Sequence, residues 1–166
     1  MKPQNRFFWA RKMVIWTIWI SLAFYASAIA VQFLVDDPAN RQKTFKNLWR
    51  CGCLFAIVHV ICAFHFVHHW SHQAAVLQTI EDTKAVTGMS FEYGIYFNYL
   101  FLLVWAIDCT SGATHSWWTA IVHCYMLLII VSATIIFESG PIRYISLLGL
   151  ASLIYLWLRS HTKTAR

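Results

Sequence analysis

Charge is scarce in this chain. Only 12% of its 166 residues are Asp, Glu, Lys or Arg, about half the share of an ordinary soluble domain. With 59% of the residues hydrophobic, a water-soluble fold of this size could not hide its apolar surface. The usual motifs of soluble enzymes are missing as well. There is no GxGxxG or GxxxxGK[ST] segment to cradle a nucleotide, no GxSxG elbow to present a serine nucleophile, and no HExxH pair to hold a catalytic zinc. No internal repeat or low-complexity tract occurs. Five cysteines make an odd set, and Cys53, Cys62 and Cys124 fall inside or at the edge of apolar runs. They read as thiols and not as the disulfide framework of a small secreted domain.

The basic excess does not form a nucleic-acid surface. The formal charge is +6, but eight of the thirteen Lys and Arg residues lie before Cys51 and flank apolar segments, the pattern of membrane-flanking charge. No nucleic acid and no nucleotide is expected as a partner. The expected surroundings are a lipid bilayer, as an inner or plasma membrane protein, with other membrane subunits as further partners.

What the chain has instead is a series of apolar runs of bilayer length. A basic and aromatic start, with Phe7, Phe8 and Trp9, suits the headgroup layer. A first span follows over 13–35. Its apolar length exceeds that of a signal peptide's core, so the small-residue string Ala26-Ser27-Ala28 reads as part of a retained helix, with a cleaved signal as the alternative. Asp36-Asp37-Pro38 stops it. Thr44 is a candidate cap for the second helix, whose span covers 50–72 and whose helical pattern continues to about residue 87, where Gly88 suits a C-terminal cap. Further spans are expected over 93–108, 117–137 and 142–158, the last two separated by Gly140-Pro141. The expected fold class is all-α: a single polytopic membrane domain over residues 1–166, with five transmembrane helices, or four if the short third one is re-entrant. Positive charge divides almost evenly between the two sides, so the positive-inside rule does not orient it.

The second span carries an unusual load. From Arg50 to His72 it holds five of the eight histidines and three of the five cysteines. On one continuous helix, at about 100° per residue, His68, His69 and His72 fall near −60°, +40° and −20° from His65, all on one stripe. Neutral imidazoles so placed suit a transition metal such as Fe, Cu or Zn. A stripe of this kind is expected to face the bundle interior, because a lipid-facing row of imidazoles would leave polar atoms unpaired. Glu92, returning at the same level, is the expected additional or supporting carboxylate. The plainer alternative is that histidines at a membrane boundary only cap the helix and bond to water. The segment His65-Phe66-Val67-His68-His69 resembles the HxxHH boxes of membrane fatty acid desaturases and hydroxylases, which would imply a di-iron site at the end of transmembrane helices. The resemblance covers five residues, and His115, His123 and His161 stand singly, without a second box.

Two further arrangements are open. His59 and His123 lie at similar expected depth on two helices, as axial ligation of a b-type haem requires; alternatively each is neutral and bonded to a carbonyl or hydroxyl of a neighbouring helix. Cys51-Gly52-Cys53 with Cys62 has donors for Cu(I), but small residues at that spacing also let helices approach closely. Asp108 and Glu92 bracket the third span, and Asp108 is expected near His115. The expected function is a small multi-pass membrane protein in a redox or metal-handling role; its alternative is a structural or assembly subunit with no cofactor.

Overall fold

The computed structural model describes residues 3–111, 116–137 and 140–164. Among these, all regular structure is helical: α1 Pro3–Leu34, α2 Pro38–Phe66, α3 His72–Thr87, α4 Gly94–Ser111, α5 Ser116–Val131 with a π-helical continuation Ser132–Ile136, and α6 Pro141–Thr164. Four segments are long and apolar enough to cross a membrane, Lys12–Leu34, Pro38–Phe66, Trp117–Ile136 and Pro141–Ser160. The apolar part of α4, Gly94–Thr110, is shorter.

α1 and α2 form the hairpin on which the rest is built. The chain turns between them at Asp36-Asp37-Pro38, and the same residues that stop α1 start α2. Asp37 is the N-cap, its Oδ2 accepting from the Asn40 amide at 2.9 Å, and Pro38 stands in the first turn, where its missing N–H costs nothing. The expected cap Thr44 is therefore interior to the helix. An Asp-Pro pair supplies both the side-chain acceptor and the preset φ, whereas Thr44 follows residues that are already helical.

The hairpin is tied across its length. Ser21 Oγ donates to the Gly52 carbonyl at 2.8 Å, and His59 bonds to the Val14 carbonyl. Tyr25 packs on Trp49 and Phe24 stacks on Phe55. α4 returns along α2, with Tyr99 beside Phe64 and Trp105 over Gly52. α5 returns along α4, fixed at one end by Trp118 Nε1 donating to Asp108 Oδ1 at 2.8 Å and further along by Tyr125 donating to the Phe97 carbonyl at 2.8 Å. The core lies where four helices meet: Tyr25 and Ala28 of α1, Trp49, Cys53 and Ala56 of α2, Trp105 of α4, Val122 and Met126 of α5. Trp105 is 1% exposed. It sits there because Gly52 has no side chain; a Cβ on Gly52 would come within 2.9 Å of Trp105 Cζ2. The small residues of the Cys51-Gly52-Cys53 segment thus serve close helix approach.

α6 stands apart from this core, against α1 and the π-helical segment, and no residue of its apolar stretch is buried. The break before it comes where the sequence places it, with Gly140 at φ 77° and Pro141 opening the helix.

Candidate functional site

The histidine segment does not form one helix. α2 ends at Phe66, where the amides of Val67 and His68 both bond to the Ala63 carbonyl, at 2.9 and 3.0 Å, and the Trp70 amide bonds to Phe64 at 2.9 Å. His69 and Trp70 then adopt positive φ, 50° and 61°, a left-handed conformation that non-glycine residues seldom take. Ser71 starts α3, its Oγ accepting from the Ala74 amide at 3.2 Å. The expected unbroken helix through Ser71 is corrected here, while its expected end is found: Gly88, at φ 75°, caps α3.

The break dissolves the stripe, since the angular argument holds only along one axis. His65 Nδ1 accepts from the Trp70 indole at 3.3 Å. His68 lies edge-on to Phe64, and burial first, then the neighbouring His69, hold its imidazolium below the ordinary histidine value. His69 is exposed in the turn. His72, already in α3, bonds through Nδ1 to the Tyr99 hydroxyl at 3.0 Å and packs on Tyr96 and Tyr99. His65, His69 and His72 are exposed, so the expected inward-facing row is not found. Among the described residues no three His, Cys, Asp or Glu side chains are gathered closely enough to hold a metal ion. Glu92 is exposed in the turn before α4. The signal that could have revealed the break is Ser71 itself, an N-cap residue set immediately before a run of good helix formers.

His59 and His123 do not share a depth. His59 Nδ1 is 2.9 Å from the Val14 carbonyl and 3.5 Å from Thr17 Oγ1, bonding across the α1–α2 hairpin. His123 instead packs against Trp49 and Phe45, with ring centroids 5.2 and 6.2 Å apart. Trp49 precedes His59 by ten residues, about 15 Å of helix axis. The difference follows from helix register: where α5 passes α2, His123 lies against Trp49 and not against His59. Asp108 faces α5, where it accepts from Trp118. His115 and Glu138 lie outside the described residues, as does the side chain of His161.

What the fold does assemble is a pair of adjoining cavities at the end of the bundle where α1 stops and α2 starts. One, of about 500 Å³, is bordered by Arg41, Lys46, Trp49 and Arg50 of α2, Asp108 of α4 and His123 of α5. The other, of about 370 Å³, is apolar and lies between α1, α5 and α6, against Tyr25, Ile29, Leu127, Leu150 and Ile154. Gln32 and His123 line both. At this junction Trp49 Nε1 and His123 Nδ1 are buried with no hydrogen-bond partner among the described residues. Buried polar atoms without partners are uncommon enough to require an explanation. The sequence offered no sign of this site, because its residues come from five helices and none forms a motif.

Comparison with protein-family models, with curated proteins and with solved structures finds no match to this chain.

Proposed function

We propose that this chain is a multi-pass integral membrane protein of five crossings that serves as a structural and binding subunit within the bilayer. The observation that supports it is the placement of the large apolar side chains. The small buried core leaves Trp16, Leu54, Ile61, Leu128, Leu148 and Trp157 exposed on the outer faces of the same long helices. In water such contiguous surface is an aggregation liability, while hydrocarbon solvates it at no cost. The fifth crossing is α4. Its apolar part is shorter than the other four, about 25 Å at the usual rise, but it runs beside the apolar half of α2 with polar residues at both ends.

The subunit reading is favoured over a metal or haem role because the histidines that suggested the latter lie apart, His65 bonding to Trp70, His72 to Tyr99 and His59 to Val14, while His123 packs on Trp49. His59 and His72 each tether one helix to another, and His65 holds the turn that follows α2. Two measurements test the reading. After alkaline carbonate extraction the protein should stay with the membrane pellet and be released by detergent; recovery in the carbonate supernatant refutes the crossings. Purified in detergent, it should show neither a haem spectrum nor stoichiometric metal by mass spectrometry. A stoichiometric metal would overturn the subunit role and return function to the histidines.

A further inference from the structure

We propose that the two adjoining cavities together bind one anionic bilayer lipid, its phosphate among Arg41, Lys46 and Arg50 and its acyl chain in the groove between α1, α5 and α6. The inference rests on the membrane reading for the source of the ligand and adds the class of molecule bound. Three features support it. First, the larger cavity brings together three cations and one carboxylate, Asp108, and that carboxylate already accepts from Trp118. The remaining charge is positive and suits a phosphodiester, which offers acceptor oxygens and a net negative charge. Basic residues that only flanked a span would point away from the bundle; these border an indentation in it.

Second, the buried Trp49 indole N–H is a donor without an acceptor beside that cavity, and His123 Nδ1 is a polar atom in the same condition. Both side chains line the cavity, so a turn of either ring that brought its polar atom to the wall would give that atom a ligand oxygen or hydroxyl as partner. Third, the cavity next door is apolar and shares Gln32 and His123 with the first as lining residues. Along α1 it extends from Gln32 back to Tyr25, about 10 Å of helix axis directed away from the charged end. Polar cavity at the bundle end, apolar cavity toward its middle: the order matches a phospholipid standing in one leaflet. A free anion would use only the first cavity and an apolar molecule only the second. Both volumes lie in the range of sites that hold small molecules, about 300–1,000 Å³.

The test uses the full chain, purified and delipidated in a nonionic detergent and titrated calorimetrically with short-chain phosphatidylglycerol, with phosphatidylcholine of the same chains, and with inorganic phosphate. Phosphatidylglycerol should bind at a single saturable site at least about tenfold more tightly than phosphatidylcholine, and phosphate should neither bind measurably nor compete. A cation near an anionic headgroup is worth about fivefold in affinity, so Arg41→Gln with Lys46→Gln and Arg50→Gln should lower phosphatidylglycerol affinity on the order of 100-fold and erase the preference. Arg41→Lys with Arg50→Lys, leaving Lys46 in place, should retain it, which separates lost charge from a damaged fold. Leu150→Trp, filling the apolar groove, should weaken both lipids alike. Equal affinity for the two lipids overturns the proposal, as does tight binding of phosphate alone or binding without saturation. Because lipids are supplied in detergent solution, such a failure leaves the carbonate extraction result, and with it the membrane reading, untouched.

Discussion

The contact between Gly52 and Trp105 sets the spacing of α1, α2 and α4, and its strength can be worked from the geometry. A methyl group on Gly52 would stand 2.9 Å from Trp105 Cζ2, 3.1 Å from Cη2 and 3.4 Å from Phe24 Cβ. The indole cannot swing aside, being 1% exposed and enclosed by Tyr25, Trp49 and Phe101 at centroid distances of 6.0, 5.3 and 5.4 Å. Overpacking of this kind costs about 1–3 kcal/mol, against which an alanine's better helix propensity returns about 1 kcal/mol. Gly52→Ala should therefore destabilise by about 1 kcal/mol, a fall of about 2–4 °C in melting temperature for a chain of this length. Gly52→Val should cost more than Gly52→Ala, by the added methyls and by β-branching. The two ring atoms nearest the new methyl belong to the six-membered part of the indole, which Trp105→Phe repositions and shrinks. In the double variant Gly52→Ala with Trp105→Phe the methyl should fit the space so opened, giving a favourable coupling of about 0.5–3 kcal/mol in a double-mutant cycle. The assay is thermal unfolding in detergent followed by circular dichroism. Strict additivity of the two changes, or a rise in melting temperature for Gly52→Val, would refute the contact as the determinant of helix spacing.

Two other outcomes follow from the histidine turn. His68 titrates below its ordinary value of 6.5, by burial and then by the charge of His69, so in the range just under 6.5 the unfolded chain binds the proton and the folded one does not; stability present at higher pH is lost as pH falls through this window. An NMR titration of the His68 ring should show a midpoint below 6.5 that moves up in His69→Ala, and a midpoint indifferent to His69 would rule out their electrostatic coupling. Ser71→Ala removes the acceptor of the Ala74 amide, a cap worth about 1 kcal/mol. Hydrogen exchange in the first turn of α3 should quicken by about fivefold while that of α2 stays unchanged; equal acceleration in both would mean that α2 and α3 act as one helix.

The apolar runs, and with them the helical class and the ends of most elements, were legible in the sequence because they depend on composition and local chemistry. Asp37 and Pro38 end one helix and begin the next through their own side chains, and Gly88 and Gly140 take positive φ because they alone lack a Cβ at those turns. The histidine stripe is broken for a tertiary reason. Between Gly52 and Gly88 the chain contains no proline or glycine, so local propensity favours continuation. The break comes where His72 can reach Tyr99 and where α3 can lay Thr79 against Gly94 of α4. Those contacts lie more than a dozen residues apart and have no local signature. The same holds for His59 and His123, whose depths depend on how far α2 slides along α1, and for the paired cavities. Helix formation is decided by each residue and its neighbours four positions away, whereas a site built from five helices exists only once their packing has fixed which faces meet.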